Sequence, residues 1–351
     1  NGSPIPNAEA AVTYKDEGLK IATKYYYQLK AVDLAGNESQ PTDTHSAVTP
    51  GILEENRTWT IADSPYIICG DIRVKGGSLL TIEPGVEIRF AKEAIISDSL
   101  GATMTELIIQ GGLIASGTDS KPIVFTSADN FPRKSVWGGI VFYGTTQADN
   151  IMRNCTIMFA DTGIKSDGST PSIENCEFGY CGLALDLGLS TSLNIKGNTI
   201  RDCDVGMISF GSNIRNNLFI SCGTAVSLMG ADYFENNTID CITGIELPAA
   251  TKPTIKNNII TYTNTLSKGL YGINMKESTA SPTVEYNDIY NLSYPYNGMT
   301  ASGPGNIASD PLFIGGTIFD YHLQTQAAGY ASDSPCLTSG ESGSQMGVYG
   351  P

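Results

Sequence analysis

A lysine among aspartates and a crowd of tyrosines are the groups best suited to chemistry in this chain of 351 residues. Lys165 stands between Asp161 and Asp167, and Asp186 follows about one repeat later. A lysine so placed can remove the α-proton of a uronic sugar while carboxylate-bound calcium neutralises the sugar acid. Asp167 and Asp186, on neighbouring layers, could instead serve glycoside hydrolysis, which needs two carboxylates within about 5–9.5 Å. Asp202 and Asp204 bracket Cys203 and, with Asp161, are the candidate calcium ligands. A solvated charged edge is the plain alternative for all of them. Tyr262, Tyr271, Tyr290, Tyr294 and Tyr296 crowd one stretch, and each offers a flat apolar face with a polar tip, suited to stacking on a sugar ring. The only histidines are His45 and His322, and His322 reads as structural.

Such residues need a scaffold, and the stretch from Met152 to Ile289 supplies it. An apolar residue, two positions, a small polar residue, one position and another apolar residue recur in seven copies. They begin at Met152, Ile173, Ile195, Ile214, Phe234, Ile255 and Val284, in steps of 21, 22, 19, 20, 21 and 29 residues. A period near twenty is the mark of a solenoid. Each copy is too short to bury its own apolar residues and must stack on its neighbours. Asn198, Asn217, Asn237, Asn258 and Asn287 hold one fixed place, with Cys155 and Cys176 there in the first two copies. Stacked roughly 4.8 Å apart at an inward corner, their amides can bond to one another and to the corner backbone. The preceding residue is Asn154, Asn175, Gly197, Asn216, Asn236, Asn257 or Tyr286, mostly types that tolerate the left-handed region. A second apolar column is expected at Ile164, Leu183, Met207, Val226, Ile245 and Ile273. Gly163, Gly182, Gly206, Ala225, Gly244 and Gly272 precede it, where a side chain will not fit or φ is positive. Outward positions on that strand then read Lys165, Ala184, Ile208, Ser227, Glu246 and Asn274. The expected class is all-β, a right-handed parallel β-helix of about ten to eleven rungs with an internal asparagine ladder.

Formal charge is −15. It argues against nucleic acid, whose phosphates need a basic partner surface, and favours a neutral polysaccharide over a polyanion unless a cation such as calcium bridges. No apolar run approaches the roughly 20 residues that span a bilayer. Residue 1 does not open a signal peptide, so a mature, processed or excised chain is expected. The eight cysteines show neither zinc spacing nor a CxxC pair. Cys181, Cys203 and Cys222 each fall three residues after the inward apolar position and Cys241 two after; they read as core filler, with a disulfide between stacked neighbours as the alternative.

Residues 1–50 read differently from the rest. The phrase YYYQLKAVDLAGNESQP, from Tyr25 onward, resembles the closing part of a fibronectin type III domain, so a fibronectin-like segment and linker is expected here. In bacteria that resemblance implies a secreted or cell-surface multidomain protein, often carbohydrate-active, of which this chain would be a monomeric part. Residues 51–351 form the expected β-helix domain. Leu79–Phe90, Leu107–Thr118, Pro122–Ser127 and Trp137–Phe142 resemble the first coils of secreted bacterial proteins of the pectin-lyase-like group. Trp137 is expected to pack at a coil edge. The run Ser334-Pro335-Cys336-Leu337-Thr338-Ser339-Gly340 resembles the closing block of such proteins, and residues 305–351 are read as a cap on the last rung's edge.

The pectin-lyase-like group holds lyases, hydrolases, esterases, epimerases and binding proteins, so fold alone decides nothing. The N-T-D, G-H-G and R-I-K phrases of polygalacturonase-like hydrolases are absent, as is the Y-G-F-D-P-H phrase of alginate epimerases. Three functions remain: a polysaccharide-binding β-helix without catalysis, a polysaccharide lyase or glycoside hydrolase using Lys165, Asp167 and Asp186, and a structural or adhesive spacer.

Overall fold

The computed structural model describes residues 16, 18–92, 104–144, 150–188, 192–248, 250–264, 267–275, 279–299 and 303–351. Its strands fall into three long sheets, which we term I, II and III in the order in which each coil meets them. Sheet I has 10 strands, from Arg57–Trp59 to Thr283–Glu285; sheet II has 12, ending at Asp288–Ile289; sheet III has 11, ending at Leu292–Asn297. Pairing between successive coils is parallel throughout. The chain is therefore a right-handed parallel β-helix of 10 full coils, the number of sheet I strands, with an incomplete coil before them.

The corner between sheets I and II explains the repeat. Asn154, Asn175, Gly197, Asn216, Asn236, Asn257 and Tyr286 all have φ between 49° and 71°. One left-handed residue turns the chain, and the next points inward. There Asn198 donates through Nδ2 to Asn217 Oδ1 at 3.0 Å, Asn217 to Asn237 at 3.0 Å, Asn237 to Asn258 at 3.1 Å and Asn258 to Asn287 at 2.9 Å. Each acceptor oxygen also takes the backbone N–H of the residue beneath it, so a buried amide closes the bonds of two corners at once. The column starts one coil earlier, where Cys176 N donates to Asn198 Oδ1 at 2.9 Å. It ends beyond the repeat: Asn306 Oδ1 accepts from Asn287 Nδ2 at 3.0 Å. Residue 306 follows no recognisable phrase, and the spacing gave no sign of it.

The second column differs from its expected membership in one coil. Ile164 pairs with Leu185, and Leu185 with Met207, so Leu185 replaces Leu183 and Ala184 replaces Gly182. The glycines here have ordinary φ; what they avoid is a side chain. A Cβ on Gly163, Gly206, Gly244 or Gly272 would lie 2.4–2.6 Å from a carbonyl oxygen of the following coil. Gly182 is small for a different reason, since its Cβ would meet Asp161 O at 2.8 Å. Two tight places two residues apart mislead a count by spacing.

All eight cysteines are free, and Cys181, Cys203, Cys222 and Cys241 are buried. Cys222 N donates to Cys241 Sγ at 3.4 Å. Trp137 is wholly buried, stacked on Phe90 with ring centroids 3.9 Å apart, and its Nε1 donates to Met158 O.

At the first end, Lys24–Tyr27 pairs antiparallel with His45–Val48, and Val48 pairs parallel with Ile68. The hairpin thus continues sheet II, with Ala22 and Val48 in the solenoid core. At the other end the expected cap divides. Ile307 continues the stack in parallel beside Asp288. The chain then turns back along the outer face of sheet II, where Phe313, Tyr321, Leu323, Cys336 and Met346 bury Leu218 and Ile259. Apolar outward residues on those coils required a cover. Asn216 and Asn236 donate to carbonyls of Val348, Gly350 and Pro351, and Tyr321 Oη donates to Asp240 Oδ2 at 2.7 Å.

Two outcomes test this packing. Asn237→Ala orphans buried groups on three coils, at about 1–3 kcal/mol for each unsatisfied partner. Urea unfolding is expected to show a loss of roughly 3–5 kcal/mol, against a smaller loss for Asn306→Ala at the column's more exposed end. Under the returning segment, burial pushes the Asp288 carboxyl up to about 6, while Cys336 Sγ donates to its Oδ2 at 3.0 Å. A raised carboxylate pKa stabilises the fold below the unfolded value of 3.8, and that contribution is lost as pH rises through about 6. The stability difference between the wild type and Asp288→Asn should therefore decline from pH 4 to pH 7, on the order of 2–3 kcal/mol. A pH-independent difference contradicts the buried acid.

Candidate functional site

The outer faces of the three sheets are unequal. On sheet I, Arg153, Glu174, Lys196, Arg215, Glu235, Lys256 and Glu285 stand in one register column. Opposite charges meet along it, with Arg153–Glu174 at 2.9 Å and Lys256–Glu285 at 3.7 Å. Such partly exposed pairs contribute little stability but satisfy most of the column's charges; Lys196, in register with Arg215, makes no ion pair among the described residues. On sheet II, Arg201 binds Glu177 at 2.7 Å, and the later coils lie under the returning C-terminal segment. Sheet III carries a mixed strip of charged, hydroxyl, amide and aromatic groups, mostly half-buried to exposed and interrupted by buried Thr243 and Asn274.

Register orders that strip. Lys165 lies beside Asp186 and pairs on its other side with Val141. The outward column continues through Ile208, Ser227, Glu246, Asn274 and Asn297. Asp186, not Ala184, is the outward residue next to Lys165, whereas Asp167 is level with Tyr143, two residues further along the strand. Lys165 makes no ion pair among the described residues. Asp186 Oδ1 accepts from Gly188 N at 3.1 Å.

The three candidate calcium ligands do not converge. Asp202 Oδ2 lies 3.2 Å from Arg201, and Asp204 Oδ1 lies 2.6 Å from Lys134. Asp161 is exposed as the second residue of the strand Ala160–Asp167. Among the described residues no group of three or more His, Cys, Asp or Glu side chains is placed to hold a metal ion.

The tyrosines separate as well. Tyr271 and Tyr294 pair in register on the outer face, with ring centroids 5.5 Å apart and planes tilted by 32°. Tyr294 is 53% exposed. Beside them Asn297 Nδ2 donates to Asn274 Oδ1 at 2.7 Å. Tyr296 is level with inward Ile273, and Tyr262 packs against the core with it. Tyr290 is half-buried next to Ile289 at the end of sheet II. His322 lies outside the strip, stacked on Tyr349 with its Nδ1 2.7 Å from Asp320 Oδ1.

Sequence reasoning missed Asp71 and Glu106 in the first coils. Ile72 pairs with Leu107, which sets the two acids side by side, and Asp71 Oδ1 accepts from Glu106 N at 2.8 Å. Glu106 lies across Gly138 of the next coil, where a Cβ would come within 2.4 Å of its Cγ. Burial raises the Glu106 carboxyl pKa; Asp71 and Asp161 add to the rise, and Lys165 opposes it. Burial raises Asp71 too. The signal was the Gly138-Gly139 pair inside a strand, which marks a close approach.

Residues 51–183 match a family model described as a pectate-lyase-like β-helix domain, and residues 202–345 match a second, described as disaggregatase related. No curated protein matches the chain. The two matched stretches meet inside one uninterrupted solenoid, for Leu183 pairs with Val205. With the parallel sheets they point to a polysaccharide-related β-helix protein. Among the described residues no helix is long and apolar enough to cross a membrane.

Proposed function

We propose that this β-helix binds a polysaccharide along the outer face of sheet III. The Tyr271–Tyr294 pair carries the reading. Two neighbouring rings on adjacent coils, one of them largely exposed, offer consecutive apolar faces for sugar rings. Thr224 stands two coils before Tyr271 in the same register column, and half-buried Ser227 and Asn297 flank the column with groups that match sugar hydroxyls. Coils recur about every 4.8 Å, a distance comparable with one pyranose unit, so a chain laid along the axis meets equivalent positions repeatedly. A net charge of −15 favours a neutral glycan. The pectate-lyase-like match supports a polysaccharide partner and a place outside the cell, and the fibronectin-like phrase in residues 25–41 supports a secreted or surface-attached bacterial parent.

Affinity electrophoresis in gels containing soluble neutral glycans tests this. The wild type should be retarded by at least one glycan. Tyr271→Ala with Tyr294→Ala should weaken retardation roughly tenfold, as two stacking faces at about 0.5–1.5 kcal/mol each imply. Tyr290→Ala should leave it unchanged. Equal retardation of wild type and double variant removes the tyrosine pair from the site.

A further inference from the structure

The acids near the first coils do not resemble the satisfied charges elsewhere on the molecule. Asp71 is only 6% exposed, yet among the described residues its Oδ2 has no hydrogen-bond partner, and neither has Oγ1 of fully buried Thr105, which precedes Glu106. Leaving such atoms unpaired is unfavourable for folding alone, and a catalytic role is one of the explanations such an orphan calls for. The strand bearing Glu106 is followed by a coil with glycine at 138, and the Glu106 carboxyl occupies the space a side chain there would take. The coil after that carries Asp161 and Lys165. Glu106 pairs with Gly139 and Gly139 with Thr162, so Glu106 and Asp161 stand two coil spacings apart, about 10 Å at the backbone. The Glu106 side chain reaches over Gly138 into the coil between them, which brings its carboxyl into the range of about 6.5–9.5 Å at which paired carboxyls cleave glycosidic bonds with a water between them.

We propose that Glu106 and Asp161 form a pair that hydrolyses a glycosidic bond on sheet III, with Lys165 holding an oxygen of the same sugar. The site rests on the reading that this face binds polysaccharide, and adds a reaction to it. Glu106 donates its proton to the bridging oxygen, and the bond from the anomeric carbon to that oxygen breaks, its electron pair staying with the oxygen. A water oxygen bonds to the anomeric carbon, and Asp161 takes the proton that water releases. One water is consumed, and the proton on Asp161 restores Glu106 through solvent. The half-buried carboxyl beside Asp71 suits the donor, and the exposed one suits the base.

The test measures release of reducing ends from soluble β-glucan, galactomannan and arabinogalactan, beside the affinity gels. Wild type should release reducing ends from a glycan that retards it. Glu106→Gln should lower the rate by about 100-fold or more with retardation unchanged, and Asp161→Asn, at an exposed position, should also lower the rate. Gly138→Ala, which displaces the Glu106 side chain without altering its chemistry, should reduce the rate as well. A glycan bound but not cut, or cut equally by Glu106→Gln, overturns the hydrolytic pair and leaves the binding face standing. If no glycan is either bound or cut, both fall.

Discussion

Parallel coils leave a polar problem at every corner. Each time the chain turns from sheet I to sheet II, a backbone N–H faces a core that water does not enter, and an unpaired group there costs more than most single contacts return. From Asn198 onward the asparagine column meets that need with one side chain per coil. Its oxygen takes the amide hydrogen of the coil before, and its nitrogen bonds onward and to the backbone, as Asn237 does with Asn258 Oδ1, Ile214 O and Glu235 O. The same bonds fix register. A coil displaced by one residue would break its amide contacts and turn its apolar residues outward. The Tyr271–Tyr294 pair stands on coils whose register this column holds.

The two ends of the stack are protected differently. An open parallel edge invites pairing with another chain. Before the first coil, the hairpin of Lys24–Tyr27 and His45–Val48 continues sheet II with an antiparallel strand. After the last, Asn306 and Ile307 extend the corner by a partial turn, and the remainder crosses the outside of sheet II. Covering sheet II there, and pairing charges along sheet I, leaves sheet III as the face with free chemistry. The asymmetry follows from outward residues alone, because all three sheets feed the same core.

Much of the architecture was readable where one residue type met one physical need. A left-handed corner calls for Asn or Gly, an inward polar corner calls for an amide, and both recur in the right order from Asn154 to Asn287. Legibility failed where two needs looked alike. Gly182 and Ala184 are both small because backbone is close, and only pairing shows which belongs to the column. It failed again where no repeat existed: the early coils bear Asp71 and Glu106 on strands without the asparagine phrase, so nothing in their spacing announced that they are neighbours. Of the site residues expected from sequence, Lys165 and Asp186 come together, as do Tyr271 and Tyr294. Asp202 and Asp204 are occupied by Arg201 and Lys134, partners distant in sequence or hidden by their ordinariness. Tyr296 and Tyr262 were drawn into the core's end by apolar area, which no composition count could reveal.

Hydrogen exchange resolved to single amides tests the stacked column most directly. The backbone amides of Cys176, Asn198, Asn217, Asn237 and Asn258 each donate to the side chain of the next coil at 2.9–3.0 Å. They should exchange together, and only through opening of the whole solenoid. If any interior member of the set exchanged as fast as an exposed turn amide such as that of Gly36, the column would not be the constraint on which the register, and with it the working face, depends.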